Sequence, residues 1–277
     1  MRVILSRKGF DSSNGGIVSP IFEDGTLVSF PIPSDDKDSF SDLQYEGISY
    51  SDILLDLHYR GKSHCHVDPD LDQNRRKTKV DGWVPAFGQI NQSAVYLKNN
   101  GIREGDLFLF FGSFHRVRNI GGHFEYIKKT GDFYKDKDLQ VIWGYLQVGE
   151  IIDDPIEQGR LWWHPHSSEE RRNNKTNIIF KASKKLSFDD SKPGAGLLSF
   201  RLDRVLTSEN CNKATWKKNP VYDVKNIMGN RKNSSKDPDR GIYYAGIWQE
   251  LCLAETEECT KWARSLIVKA MEEEDHY

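Results

Sequence analysis

The sequence predicts an α+β fold with a mixed or antiparallel, β-rich core and a few helices. Two apolar segments, 107–111 and 139–148, predict strands, and a third strand expected at 123–127 leaves connections too short for helical crossovers, which favours antiparallel pairing. In 255–274, apolar residues recur on one face at helical spacing, which predicts an amphipathic C-terminal helix. We expect one domain over 1–277, with its β-rich centre at about 101–152.

The other elements follow from local patterns. The apolar run 3–5 predicts a buried strand, and the Asp24-Gly25 turn predicts a pair of short strands within 21–30. Two segments, 51–59 and 87–100, have helical spacing and are each followed by a glycine, so we expect two helices there. The remaining predicted elements are strands, at 123–127, 176–182, 197–202 and 242–253.

Composition and charge exclude several classes of protein. The formal net charge of −2 argues against a general nucleic-acid coat protein, yet 160–240 carries 18 Lys and Arg against 9 Asp and Glu. That excess predicts either an anion-facing surface or a solvated loop region. Four cysteines without a C-x-x-C pair indicate neither a zinc ribbon nor a disulfide scaffold and favour a reducing, cytoplasmic setting. No apolar run reaches the roughly 18 residues that span a bilayer, so we expect no membrane contact.

The loop after the first strand is the first candidate site. We expect Arg7, Lys8, Ser12 and Ser13, with the N–H groups near the glycines, to bind phosphate, and Asp11 to act as an acid or base. The loop has neither the P-loop nor the dinucleotide-binding fingerprint, which argues against a standard nucleotide hydrolase. The alternative is a solvent-exposed turn.

A second candidate site is a metal site. In an extended chain His64, His66 and Asp68 would point the same way, and two imidazoles with a carboxylate suit a divalent metal. The alternative is a turn at the following proline with no metal, and this alternative is favoured.

A third candidate contains two adjacent tryptophans. Trp162 and Trp163 could stack on a base, while His164 and His166 would suit proton transfer. The alternative is that one of the two indoles fills the core and the other lies at the rim of a pocket.

The last candidates are single charged residues. Arg171 and Arg172 could follow a nucleic-acid backbone, or they could belong to an ordinary basic surface. Glu250 lies in an apolar segment, so it is either on a solvated face or in a pocket that would raise its pKa.

Several motifs resemble a known family. The segments 1–16, 19–33, 105–112 and 141–147, with His164-Pro-His166 and Trp248-Gln-Glu250, are similar to the third family of nucleotide modification associated domains. The resemblance implies a role around modified nucleotides in bacteria, phages or some eukaryotes, with a nucleotide or nucleic acid as partner. It supplies no reaction, cofactor or catalytic residue. The centre also resembles the barrel of PUA, EVE and ASCH modules, which bind RNA or flipped, modified bases.

Three hypotheses follow. In the first, the protein is an enzyme of base or nucleotide modification whose catalytic residues are Asp11, His164, His166 and Glu250, in a cleft lined by the N-terminal loop. In the second, it is a non-catalytic reader of modified nucleic acid with a PUA-like pocket. In the third, it binds a small molecule unrelated to nucleic acid.

Overall fold

The computed structural model describes residues 1–11, 13–229, 241–244 and 248–268. Within those ranges helices and strands are mixed, as the sequence predicts. The strands are β1 (Val3–Arg7), β2 (Ser19–Ile21), β3 (Ile32–Pro33), β4 (Gln44–Tyr45), β5 (Ile48–Ser49), β6 (Cys65–His66), β7 (Ala86–Gln89), β8 (Leu107–Ile120), β9 (His123–Tyr126), β10 (Leu139–Ile152), β11 (Ile178–Ala182), β12 (Lys185–Leu186), β13 (Asp189–Pro193), β14 (Ala195–Leu197) and β15 (Glu250–Cys252).

Six α-helices and several short 3₁₀ turns occur in the same ranges. The α-helices are α1 (Tyr50–Asp56), α2 (Asn91–Asn99), α3 (Phe133–Asp136), α4 (Pro155–Arg160), α5 (Glu169–Arg172) and α6 (Glu257–Val268). The 3₁₀ turns are Phe40–Asp42, Gln73–Arg75, Pro165–Ser167, Leu202–Arg204, Pro220–Tyr222 and Val224–Asn226. None of the helices described is both long and apolar enough to cross a membrane.

One large mixed sheet organises the chain. Its strand order is β15-β1-β8-β10-β11-β7, with β2 and β9 also pairing with β8 and β14 pairing with β10. The central strands β8 and β10 are antiparallel, as the sequence predicts, whereas β1 runs parallel to β8. The predicted mixed, β-rich core is therefore confirmed.

The sheet separates two hydrophobic clusters. Along β8, Leu107, Leu109 and Phe111 face one cluster, while Phe108 and Phe110 face the other, because successive side chains of a strand point to opposite faces. The first cluster is covered by α6 and by the stacked rings of buried aromatic residues, Trp216 and Tyr244. The second lies inside the curl of the sheet and is covered by α2.

The expected PUA-like barrel is not formed by the described strands. The sheet curls until its edge strands β7 and β15 approach each other, but among the described residues no backbone ladder joins them. Contact across the gap is made by side chains instead, through the Gln89 amide and the Glu250 carboxylate. The centre of the chain is thus an open, curled sheet.

Some predicted elements have different bounds. The helix expected over 87–100 divides into β7 and α2, because Ile90 is extended, with φ of −146°, and interrupts the helix. The strand expected over 197–202 ends at Leu197, and only Glu250–Cys252 of the strand expected over 242–253 is a strand among the described residues. The predicted C-terminal helix is confirmed as α6, and its expected end at 274 lies outside the described residues.

Candidate functional site

A polar site begins where the two edges of the sheet meet. The Gln89 amide donates a hydrogen bond to a Glu250 carboxylate oxygen (2.5 Å), and the Ser6 hydroxyl donates to the same oxygen (3.1 Å). The Lys8 ammonium lies 3.4 Å from that oxygen and 4.4 Å from the centroid of the Phe87 ring. Glu250 is fully buried and the Lys8 side chain is only 10% exposed. We call Lys8, Gln89 and Glu250 the seam.

Strand alternation decides which N-terminal residues reach the seam. Ser6 and Lys8 point to the face of the sheet on which the Glu250 side chain lies. Arg7 points to the opposite face, where its guanidinium lies 5.9 Å from the centroid of the Tyr244 ring. Two adjacent cations of the predicted phosphate site are therefore on opposite sides of the sheet.

Asp11 organises the N-terminal loop. One carboxylate oxygen accepts the backbone N–H groups of Ser13 and Asn14, each at 2.8 Å, and the other accepts the Arg7 guanidinium at 2.6 Å. Ser12 lies outside the described residues. Arg7 and Asp11 are thus bound to each other and to their own loop.

A second polar group lies beside the seam, around the buried carboxylate of Asp68. One oxygen of Asp68 accepts the Gly88 N–H at 2.7 Å and lies 3.2 Å from His164 Nε2. The other oxygen lies 3.9 Å from His66 Nε2. The rings of His66 and His166 are 5.2 Å apart between centroids. We call His66, Asp68, His164 and His166 the histidine cluster.

Gly88 allows the cluster to lie against β7. A Cβ atom at this position would lie 2.3 Å from two ring atoms of His166, far inside van der Waals contact. The same residue donates its N–H to Asp68. The absence of a side chain on Gly88 therefore makes room for the His166 ring, and the Gly88 backbone N–H holds the Asp68 carboxylate.

Hydrogen bonds from outside the cluster fix two of the imidazoles. His166 Nδ1 donates to the Asn177 side-chain carbonyl at 2.7 Å, and Asn177 is itself held because its amide nitrogen donates to Gln158. His66 Nδ1 donates to the Asp36 carboxylate at 2.7 Å, and Arg171 binds both oxygens of that carboxylate. Each ring therefore carries a proton on Nδ1, so that in the neutral form of the imidazole Nε2 is the acceptor.

Electrostatics set the charge states at the centre of the site. Burial would raise the pKa of the Asp68 carboxyl, but the contact with His164 and the charge of the nearby Lys8 ammonium hold this pKa below its ordinary value. Burial lowers the pKa of the His166 imidazole to about 3, although the Asp68 carboxylate opposes the shift. At neutral pH, Asp68 is therefore an anion and His166 is neutral.

An open groove of about 460 Å³ lies outside the cluster. Trp162 stands at its rim with its side chain 58% exposed, and the Lys37 ammonium lies 4.8 Å from the indole centroid. Trp163, by contrast, is buried in the core. The residues that line the groove are Asp35, Asp36, Lys37, Asp38, Trp162, His164, Pro165, Ser167, Ser168, Glu170 and Arg171.

The groove and the cluster are joined through His164 and Asp36. His164 lines the groove and contacts Asp68, while Asp36 lines the groove and holds His66. Arg172 instead lies near Gly159 of α4, and the exposed His64 donates to the Asp36 carbonyl at 3.0 Å. The structure thus brings together Lys8, Glu250 and the histidine cluster, with Trp162 and Arg171 at the adjoining groove.

Several residues of the site are not among the sequence predictions. Gly88 and Gln89 fall in the segment predicted as a helix, although the alternation of Phe87 and Gln89 on one face could have indicated a strand. Asp36 and Asn177 carry no local signal, because they act through histidines that lie 30 and 11 residues away in the sequence.

The match to a known family is nearly as long as the chain. No curated protein and no solved structure matches it. A family model described as nucleotide modification associated domain 3 matches residues 2–253, which contain the seam, the histidine cluster and the groove. The resemblance seen in the sequence is therefore confirmed: the chain belongs to the nucleotide modification associated domain 3 family.

Proposed function

We propose that the protein binds the base of a nucleotide or nucleic acid in the groove and modifies it with the polar groups behind the groove. The observation that carries this proposal is the position of Trp162, an exposed indole at the rim of a groove whose wall includes His164. Membership of a family associated with nucleotide modification supports the choice of a base as the ligand.

The groove favours the base over the phosphate. An exposed indole offers a flat apolar face, and stacking of a base on an aromatic side chain contributes about 1–3 kcal/mol. The groove is lined by more acidic than basic side chains, so a phosphate would be repelled there while an uncharged base would not. We expect the phosphate to stay outside the groove.

The seam and the cluster would supply the chemistry. Chemistry on a bound base needs polar groups held in fixed geometry and shielded from water. Asp68 is a buried anion fixed by the Gly88 N–H, and His166 is a buried neutral imidazole fixed by Asn177. Lys8 and Glu250 add a second buried acid–base pair next to them.

Replacing Trp162 by alanine is expected to weaken nucleotide binding about 10- to 100-fold, because it removes the stacking face. The measurement is calorimetric titration of the full chain with nucleoside monophosphates and short single-stranded oligonucleotides. Leu55→Ala is the matched control, because Leu55 is 61% exposed on α1 and does not line the groove. Equal affinity of the Trp162→Ala and Leu55→Ala variants would exclude the groove as the base site.

A second measurement separates an enzyme from a reader. DNA from cells that express the wild-type chain is digested to nucleosides and compared by mass spectrometry with DNA from cells that express Asp68→Asn. An altered nucleoside that only the wild-type chain produces is the expected result. Identical nucleosides, together with binding that depends on Trp162, would show a non-catalytic reader.

A further inference from the structure

We propose that His66, Asp68 and His166 bind a divalent first-row transition metal ion. One possible ligand atom from each of the three side chains lies within 4.8 Å of the others. The three residues come from β6, from the segment that follows it, and from a 3₁₀ turn about a hundred residues later. This inference does not rest on the proposed base binding, since a metal site can be measured without any nucleotide.

The spacing is close to that of a formed site. Nitrogen and oxygen ligands lie about 2.0–2.2 Å from such a metal, so adjacent ligands are roughly 3–3.5 Å apart. The distance from His66 Nε2 to Asp68 Oδ2 is 3.9 Å, which is slightly longer than this and too long for a hydrogen bond. Inward movements of less than about 1 Å would bring both atoms onto one ion.

The imidazoles are oriented as metal ligands are. Metal-binding histidines nearly always donate their outer N–H to a carboxylate or carbonyl oxygen, which fixes the tautomer. His66 donates to Asp36 and His166 donates to Asn177, both at 2.7 Å from Nδ1. Arg171 binds both oxygens of the Asp36 carboxylate, so the residue that orients His66 is itself held in place.

Asp68 presents one carboxylate oxygen to the proposed metal position beside His66. Its Oδ1 is occupied by the Gly88 N–H and the His164 contact, which leaves Oδ2 on the side of His66. The Asp68 side chain is only 3% exposed, so an ion bound at Oδ2 would be shielded from water. We therefore assign His164 a positioning role behind Asp68 rather than a place among the ligands.

The ligand set indicates the class of metal. Two histidines and one carboxylate, with positions left open, are typical of non-haem iron(II) sites and also occur in catalytic zinc sites. Hard cations such as Ca²⁺ and Mg²⁺ prefer oxygen ligands and are disfavoured here. His66 is the most exposed of the three ligands, so we expect the open positions, occupied by water, on its side of the ion.

The test is a titration of the chelator-treated full chain with Co²⁺, followed by visible absorption, and with Zn²⁺, followed by calorimetry. We expect one equivalent to bind. We expect His66→Ala and His166→Ala to lower affinity by more than about 100-fold, because each removes a ligand. The matched control is His64→Ala, which removes an exposed imidazole only two residues from His66 and should change affinity by less than about threefold.

Thermal unfolding checks that each variant is folded. If His166→Ala does not fold, His66→Ala still tests the proposal, because His66 is only half-buried and its truncation disturbs the core less. Asp36→Asn should lower Co²⁺ affinity by about 10- to 100-fold, since it removes a charged support and leaves the ligands in place. The proposal is overturned if the wild-type chain binds less than one equivalent at millimolar Co²⁺. It is also overturned if His64→Ala lowers the metal affinity as much as His66→Ala does.

Discussion

Lys8→Met is expected to lower the free energy of unfolding by about 3–5 kcal/mol, because it removes the Lys8 ammonium from a fully buried carboxylate. Methionine keeps the length and apolar stem of the lysine and therefore creates little cavity. The measurement is equilibrium unfolding in urea at neutral pH. The effect is large because Glu250 is fully buried, so water cannot replace the missing charge.

Two further variants separate charge from packing. Adding Glu250→Gln to Lys8→Met should restore most of the lost stability, because glutamine is neutral and can still accept from Ser6 and Gln89. Lys261→Met is the surface control: its partner Glu257 is 82% exposed, so we expect a change below about 1 kcal/mol. If Lys8→Met were as mild as Lys261→Met, the buried ion pair would not be holding the seam together.

Gly88→Ala is expected to lower the free energy of unfolding by roughly 3 kcal/mol, because the new methyl group would overlap the His166 ring. The ring has little room to move, since its other edge is hydrogen-bonded to Asn177. Thermal and urea unfolding measure the loss of stability. Proton NMR of the histidine side chains should show a changed environment for His166 in the variant.

The control for Gly88→Ala is a glycine at which an added Cβ atom would approach only the end of a flexible side chain. A Cβ at Gly159 in α4 would approach the tip of Arg172 at 3.1 Å, so Gly159→Ala should be neutral or slightly stabilising through helix propensity. A Gly88→Ala variant that matched Gly159→Ala in stability and left the His166 resonances unchanged would contradict the contact.

The strongest strands could be predicted from the sequence because their signal is local. The apolar runs within β8 and β10 identify both strands, and the short connections on either side of the strand expected at 123–127 favour antiparallel pairing. The parallel pairing of β1 with β8 could not be predicted, since the partners lie about a hundred residues apart and no local pattern records such a contact. The closed barrel was a wrong expectation for a related reason: closure depends on how far a sheet curls.

The candidate site could be predicted only in part, because only some of its residues stand out locally in the sequence. Single residues with unusual chemistry, such as Lys8, His166 and Glu250, stand out in the sequence from their apolar or aromatic neighbours. Their grouping depends on which face of a strand each occupies, and alternation along β1 separates Lys8 from Arg7. Partners such as Asn177 act on a histidine through the fold alone and leave no pattern in the chain.

The unclosed sheet has a consequence for how the protein would respond to a ligand. The polar groups at its two edges come from residues as distant as Lys8 and Glu250, so no short fragment contains them all. A ligand that bridges these groups would bind the assembled chain and not a partly folded one, and its binding energy would add to the stability of the whole fold. Ligand-induced protection from hydrogen exchange should therefore extend across the entire sheet rather than remain at the point of contact.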